Sequence, residues 1–394
     1  MLETKNVMGM VSDDPTALGM SMAAEARKYG VYFEEALGLP VVLRTSDVGA
    51  ALRDNETFST RVFQNGIMRD ALVSQRGDAH RQMRKLYNGF FAPQKIKRYE
   101  ESLVVPAVEA TLDELAEQAE PELIEHFCTI IPQRIVSSLF GLPFERIAEN
   151  DVLVRKIIAS LVRPDTPEVV AEGERAYEAM KAELFDIARR ELESPSDNLL
   201  GEIAKALHAE GEATVEACER IVFTLILGSY ETTIWGLASV CSALLLRPEA
   251  RERLREDLSL VPRAIEEAWR WCGSTFGTIR YVEREVEVAG QQLAAGTVVH
   301  LAFLPLHFDG EVYDQPERFD IGRKAKTMIF GEGIHYCVGA PLARMETRVG
   351  ITELLRRFPD LRLDPARPAP RFHLGPRGAS VFGPDNLPVL LSPG

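Results

Sequence analysis

The longest unbroken helical pattern in the chain begins after Gly211 and runs to Arg247, where Pro248 follows. At ~1.5 Å per residue such a helix crosses roughly 50 Å. Its stretch IVFTLILG, ending at Gly228, is apolar nearly all round, so it is expected to run through the core rather than over it. A chain built around such a beam should be largely helical. From about residue 78 to about residue 273, stretches such as ESLVVPAVEATLDELAEQA and ELIEHFCTIIPQRIVSSLFGLP repeat apolar residues at three- and four-residue spacing. Strand signals are fewer. Val286 to Phe303 carries short alternating segments separated by Gly290 and Gly296, Val41 to Arg44 is a further candidate, and LPVLL lies near the C-terminus. The expected fold class is mainly α with a smaller β region.

Typical domain sizes would divide 394 residues into two or three units. No repeat, low-complexity tract or Gly/Ser linker separates them, so residues 1–394 are expected to form one continuous domain. Acidic residues number 59 against 45 basic ones, a formal charge of −14. That balance argues against nucleic-acid binding but leaves room for a local basic patch that docks one acidic partner. No window approaches ~18 consecutive apolar residues, so no membrane-spanning helix is expected. The opening MLETKNVMGMVSDD lacks the basic start and apolar run of a signal peptide, which points to the cytoplasm.

The five cysteines, Cys128, Cys218, Cys241, Cys272 and Cys337, are odd in number and form no CxxC pair, which disfavours a disulfide framework or a structural zinc site. Four read as small buried hydrophobes. Cys337 differs, because it lies in Phe330-Gly331-Glu332-Gly333-Ile334-His335-Tyr336-Cys337-Val338-Gly339, followed by APLARME. Three glycines around one cysteine describe a backbone that needs positive φ or close approach to something flat. Helical periodicity resumes from Leu342, so the sulfur is expected near a helix N-terminus, where a thiolate is favoured over a thiol.

FGxGxHxCxG followed by LARxE resembles the haem-binding loop of the cytochrome P450 family at every specified position. The resemblance implies haem b (iron protoporphyrin IX) with Cys337 as the axial thiolate that ligates the iron and favours O–O cleavage. It implies that Phe330 packs beside the sulfur, that His335 reaches a haem propionate, and that Gly331, Gly333 and Gly339 let the loop pass under the porphyrin. The long central helix would then cross the haem. Glu267-Ala268-Trp269-Arg270 matches the family's ExxR, on a helix that Pro262 opens. Carboxylate and guanidinium at i and i+3 share a face. In the family the pair is buried and joined by a later arginine, for which Pro316-Glu317-Arg318-Phe319 makes Arg318 the candidate. Asp78-Ala79-His80-Arg81-Gln82-Met83-Arg84 resembles the HxxxR segment, with His80 and Arg84 on one helical face toward a propionate. Arg280 takes the place of a further propionate-binding cation.

Within the central helix, Gly228-Ser229-Tyr230-Glu231-Thr232-Thr233 resembles the family's oxygen-activating segment, with Ser229 where a glycine is expected. Thr232 and Glu231 would manage the protons that O2 activation consumes. The Thr232 hydroxyl would also reach the carbonyl of residue 228 and open the helix locally. In Leu306-His307-Phe308-Asp309, Phe308 stands where relatives commonly carry arginine, which should alter local packing.

The resemblance further implies a substrate cavity bounded by Thr275, Phe276 and Gly277 and by the turn holding Ser380, Val381 and Phe382. The segment from Arg61 to Arg76 would form a lid or wall, with Met68 and Leu72 adding apolar surface. Arg61, Arg69 and Arg76 would either anchor a substrate carboxylate or face solvent. No flavin or nicotinamide fingerprint appears, so electrons should come from a separate ferredoxin-type donor. It would dock on the cysteine side, where Arg81, Lys85, Lys324, Lys326 and Arg344 are candidate contacts. The expected function is a haem-thiolate monooxygenase that inserts one atom of O2 into a small or medium, largely apolar substrate. Coupling, desaturation or peroxide-driven oxidation at the same site, and a haem-based binding or sensing protein, are the alternatives.

Overall fold

The computed structural model describes residues 2–64, 66–143, 146–162, 166–375 and 381–391. The chain is mostly helical. The first half carries α1 (Ala17–Lys28), α2 (Thr45–Arg53), α3 (Gly77–Phe90), α4 (Pro93–Tyr99), α5 (Val105–Ala116) and α6 (Ile130–Phe140). Then come α7 (Ile147–Val162), α8 (Pro167–Glu193), α9 (Leu199–Glu210), α10 (Val215–Ser229) and α11 (Glu231–Leu246). The last helices are α12 (Pro248–Glu256), α13 (Val261–Trp271) and α14 (Ala340–Arg357).

Local chemistry sets these boundaries. Asn198 caps α9 by accepting from the Gly201 N–H at 2.8 Å, and Gly211 ends that helix at φ +74°. Thr214 caps α10 by accepting from the Ala217 N–H at 3.1 Å. Pro248 and Pro262 sit in the first turns of α12 and α13, where a missing N–H is harmless.

The central beam is not continuous. It breaks at Tyr230 (φ −85°, ψ −81°), which ends α10 and precedes α11. Around the break, side-chain hydroxyls take carbonyls that the regular ladder would have used. Thr232 Oγ1 donates to Gly228 O at 2.7 Å, and Ser229 Oγ donates to Ile226 O at 3.3 Å. Taken together, Val215–Leu246 is long and apolar enough to cross a membrane, yet Thr233 to Leu245 are all buried inside the protein. It is a core helix.

The main sheet runs in the order β1 (Thr4–Lys5), β2 (Val31–Glu34), β3 (Leu39–Val42), β8 (Val298–Ala302), β5 (Gly277–Val282), β4 (Phe58–Ser59). Strands β6 (Val286–Val288) and β7 (Gln291–Leu293) form a hairpin between β5 and β8. Two small pairs, β9 (Arg362–Leu363) with β12 (Val389–Leu390) and β10 (Phe372–Leu374) with β11 (Phe382–Pro384), close the C-terminal region. One large apolar core gathers the helices and reaches from Met8 to Val389, while a second lies under the sheet around Val42, Val48, Val299 and Leu301. Phe308 fills a tight slot against α1, since a Cβ on Gly19 would come within 2.2 Å of its ring.

Candidate functional site

The site rests on a buried ion pair. Glu267 and Arg270 on α13 have no exposed side-chain surface and pair twice, each bond at 2.8 Å. Arg270 also donates to the carbonyls of His307, Pro316 and Arg318 at 2.7–3.0 Å, so its charge is solvated by backbone. The third member of the cluster is Arg323, whose Nε lies 3.4 Å from Glu267 Oε1. The expectation of Arg318 is corrected: only its carbonyl takes part, because the loop turns its backbone toward Arg270 and leaves the side chain exposed.

This platform carries the cysteine loop. The Trp269 indole, anchored by donating to Gly236 O at 2.9 Å, meets the Phe330 ring edge-on at 5.4 Å. Arg344 covers the same ring at 4.4 Å while bonding Glu266 and the Tyr336 hydroxyl. The Met328 N–H donates to His307 Nε2 at 2.9 Å, and the Cys337 N–H donates to Phe330 O at 2.9 Å. Gly331 (φ +68°) and Gly333 (φ +75°) occupy left-handed conformations. A Cβ on Gly333 would also lie 2.4 Å from Leu52 O.

Gly339 is different. Its φ of −81° suits any residue, and a Cβ there would meet only the Cys337 sulfur, at 3.9 Å. No need internal to the protein calls for a glycine there, which leaves close approach of an external flat group over the sulfur. Cys337 lies two residues before Gly339, the N-cap of α14. Burial pushes its thiol up, against the opposing pull of the Gly339 and Ala340 backbone and of Arg84 and Arg344.

Beside the loop, cationic groups gather without enough anions. The His80 and His335 rings stand edge-on at 4.8 Å. His80 Nε2, His335 Nε2, Arg280 Nε and Arg76 Nε are buried and have no hydrogen-bond partner among the described residues. His335 is pushed down to about 3 by burial and by the charges of Arg280, His80, Arg84 and Arg76, and burial alone takes Arg280 down to about 10. Such a cluster fits a bound dianion, as the two propionates of a haem would provide. Arg84 sits nearby but donates to Tyr336 O and Asn88 Oδ1, which ties α3 to the cysteine loop. Arg76 was not foreseen in this role. Its position four residues before His80 was the available signal.

On the central helix, Gly228 and Thr232 are exposed, four residues apart and so on one face. Nothing lies within 4 Å of a Cβ built on Gly228. Glu231 is partly buried, and its carboxyl is pushed up to about 7 by burial, with Arg155 pulling down and Asp151 pushing up. Asp151 and Arg155 form an ion pair one turn apart on α7.

The expected cavity wall is corrected in three places. Phe276, Val381 and Phe382 are at most 1% exposed. Phe276 stacks on His300 at 4.7 Å and Phe382 stacks on Phe372, so both support the wall from behind. Thr275 and Gly277, on either side of Phe276, keep some exposure. Thr275 bridges Val381, and the Phe382 N–H donates to Ser274 O at 2.8 Å, so the two segments do meet. Ser380 lies outside the described residues. Arg61 pairs with Glu283 and Arg69 with Asp70, while Arg76 pairs with Glu283 through one terminal nitrogen and keeps its buried Nε unpartnered.

On the cysteine side, Arg81 pairs with Asp78, Lys326 with Glu332 and Arg344 with Glu266, whereas Lys85 and Lys324 have no ion-pair partner among the described residues. Ile334 and Tyr336 are exposed there, at 48% and 37%.

Comparison with known proteins agrees with this geometry. The family model described as Cytochrome P450 matches residues 22–380. The chain is 45% identical over 388 residues to the C-19 steroid 1alpha-hydroxylase of Sorangium cellulosum, covering 98% of each chain. Among solved structures, cytochrome P450 260B1 of the same organism superposes with a TM-score of 0.95 at 53% identity, covering 99% of this chain and 100% of that one. CYP109E1 of Bacillus megaterium in complex with testosterone gives 0.85 at 25% identity, covering 94% and 97%.

Proposed function

The chain belongs to the cytochrome P450 family, and on that premise we propose that Cys337 ligates the iron of haem b and that a steroid-sized apolar substrate is oxidised above it. The protein is a haem-thiolate monooxygenase. When bound, the haem supplies the iron that activates O2, one atom of which enters the substrate. His80, Arg84, Arg280 and His335, joined by Arg76, would hold the propionates. Phe330, Gly331 and Gly339 shape the sulfur side. Thr232 keeps a hydroxyl on the open face of the central helix, and the Glu231 carboxyl, able to gain and lose a proton near neutrality, delivers protons toward it.

The observation that carries this reading is the set of unpartnered buried nitrogens on His80, His335, Arg280 and Arg76 beside the Cys337 loop. A steroid is favoured by the hydroxylase name of the 45%-identical relative and by the testosterone bound to CYP109E1. Thr275 and Gly277 on one side and Gly228 and Thr232 on the other would bound the cavity. A ferredoxin-type protein in the cytoplasm would deliver electrons at the cysteine side, over Ile334, Tyr336 and Lys85.

The test is spectroscopic. The reduced, carbon-monoxide-bound protein should show the red-shifted Soret band of thiolate ligation, and Cys337→His should abolish it while haem remains bound. Titration of the ferric protein with C-19 steroids should shift the Soret band as the iron's water ligand leaves. Retention of the thiolate band in Cys337→His would refute the ligand, and shifts with short alkanes or fatty acids but no steroid would refute the substrate class.

A further inference from the structure

The two ends of the loop at 61–76 meet on one carboxylate. Arg61 Nη1 donates to Glu283 Oε2 at 2.9 Å, and Arg76 Nη2 donates to Glu283 Oε1 at 2.5 Å. The buried Ser59 hydroxyl on β4 donates to the same Oε1 at 2.6 Å, and the Glu283 N–H donates to Thr57 O at 2.9 Å. The acceptor is thus fixed to the sheet edge, just after β5. Between its ends the loop bonds to itself. The Ser74 hydroxyl reaches the Phe63 and Met68 carbonyls at 2.9 and 2.5 Å, and Gln64 Nε2 donates to Ser74 O at 3.2 Å. Gln75 Nε2 reaches the Arg69 and Ala71 carbonyls, each at 3.4 Å. Among the described residues, no other hydrogen bond or ion pair joins this loop to a distant part of the chain. Ala71 and Leu72 are nevertheless buried, at 3% and 8% exposed, and the charge of Asp70 is felt by Tyr177 on α8 and Glu219 on α10. The loop therefore reaches from the sheet to the central helix. With joined ends and internal bonds, it is a compact body of its own.

We infer that Glu283 is a positioning residue: it clamps both ends of this loop, and releasing the clamp lets the loop swing as one flap away from the substrate cavity. The Arg61 and Arg76 side chains are 53% and 38% exposed and that of Glu283 21%, so each pair alone is weak and screened by salt. Because they share one acceptor, loss of a single carboxylate frees both ends together. The ends differ in a second respect. The charge of Arg76 also acts on His335 in the cationic cluster, whereas Arg61 lies over the Tyr281 ring at 5.2 Å. Arg61 therefore reads the flap alone. That the flap covers the cavity rests on the haem site proposed above; the clamp itself does not.

Ala71→Cys places a thiol on the buried side of the loop, and its modification by a maleimide, followed by peptide mass, reads opening with or without iron bound. Introduced beside it, Glu283→Gln should speed that modification roughly three- to tenfold, the range for two partly exposed ion pairs lost together. Modification of the buried Cys218 should stay slow, which separates opening from unfolding. Raising salt from about 0.02 M to about 0.5 M should quicken the rate where Glu283 is present and leave it unmoved in Glu283→Gln. Arg61→Gln added to Glu283→Gln should change nothing further. An unchanged rate in Glu283→Gln, or an additive effect of Arg61→Gln, overturns the clamp. In the ferric, haem-loaded protein, binding of uncharged phenylimidazole followed by stopped-flow absorbance reads access to the iron. Glu283→Gln should raise its association and dissociation rates by a similar factor, with little change in Kd. Faster modification at position 71 without faster ligand exchange overturns the flap over the cavity and leaves the clamp standing. A parent without the thiolate Soret band fails the haem reading instead, and the thiol assay still decides the clamp.

Discussion

Glu267→Gln keeps the shape of the buried pair and removes its negative charge. In the parent, Arg270 has no exposed side-chain surface and five short bonds, two to Glu267 and three to the carbonyls of His307, Pro316 and Arg318. The carbonyl contacts survive the substitution. The carboxylate contacts do not survive intact, because an amide offers one accepting oxygen and turns an N–H toward a guanidinium. The amide oxygen in the place of Oε1 can still accept from the Asp320 N–H and Arg323, but Arg270 Nε loses its acceptor and two guanidinium groups face each other with no anion between them. Breaking a buried pair from one side costs ~3–5 kcal/mol, a large share of the ~5–15 kcal/mol that holds a typical domain folded. Arg323→Gln should cost less, ~1–2 kcal/mol, since it touches Glu267 once, at 3.4 Å, its other bonds go to the Asp314 and Gln315 carbonyls, and its side chain is 15% exposed. Arg318→Gln should change stability by less than ~0.5 kcal/mol, because only its backbone is engaged. Denaturant unfolding followed by far-UV circular dichroism measures all three, and absorbance reports haem content per chain. A cost below ~1 kcal/mol for Glu267→Gln, or a larger cost for Arg318→Gln than for Arg323→Gln, would refute the reasoning.

Other perturbations read other parts of the site. Glu231 keeps its proton to about pH 7 in the folded chain, above the ordinary carboxylate range, so its stabilising contribution is present at low pH and lost as pH rises through 7. Glu231→Gln cannot ionise and should gain stability relative to the parent across that interval; a gap in thermal midpoint that stays constant with pH would contradict the burial argument. Gly333→Ala meets both a positive φ and Leu52 O, and should destabilise the loop by at least ~1–2 kcal/mol. Gly339→Ala should leave apoprotein stability nearly unchanged yet weaken haem uptake in a titration, because its Cβ would occupy only the space over the sulfur. Lys85→Glu should slow electron transfer from an acidic ferredoxin and flatten its salt dependence. Arg344→Glu should instead loosen the cysteine loop, which stopped-flow kinetics and haem-loss rates distinguish.

The motifs that were legible in the chain are local ones. Glu267 and Arg270, or His80 and Arg84, share a helix face whatever surrounds them, and Cys337 sits among glycines whose spacing alone marks an unusual backbone. What escaped depended on the direction a loop or strand turns its side chains. Arg318 lies beside the right carbonyls, but in presenting those carbonyls the loop points the Arg318 side chain to solvent, and five residues further on Arg323 returns to the pair. Phe276 and Phe382 are apolar and adjacent to the expected cavity wall, yet their rings pack into the core against His300 and Phe372. The break at Tyr230 was hidden for a different reason. Hydropathy across Val215–Leu246 is that of one continuous helix, and only the cluster of Ser229, Thr232 and Thr233 behind Gly228 signals competition for its carbonyls. That competition explains how the bond to Gly228 O is gained, but not why the chain holds the broken form against rewinding. Holding it requires packing on the far side of the helix, where Tyr230 is 4% exposed and shares a cavity wall with Val136, Val154 and Ile226.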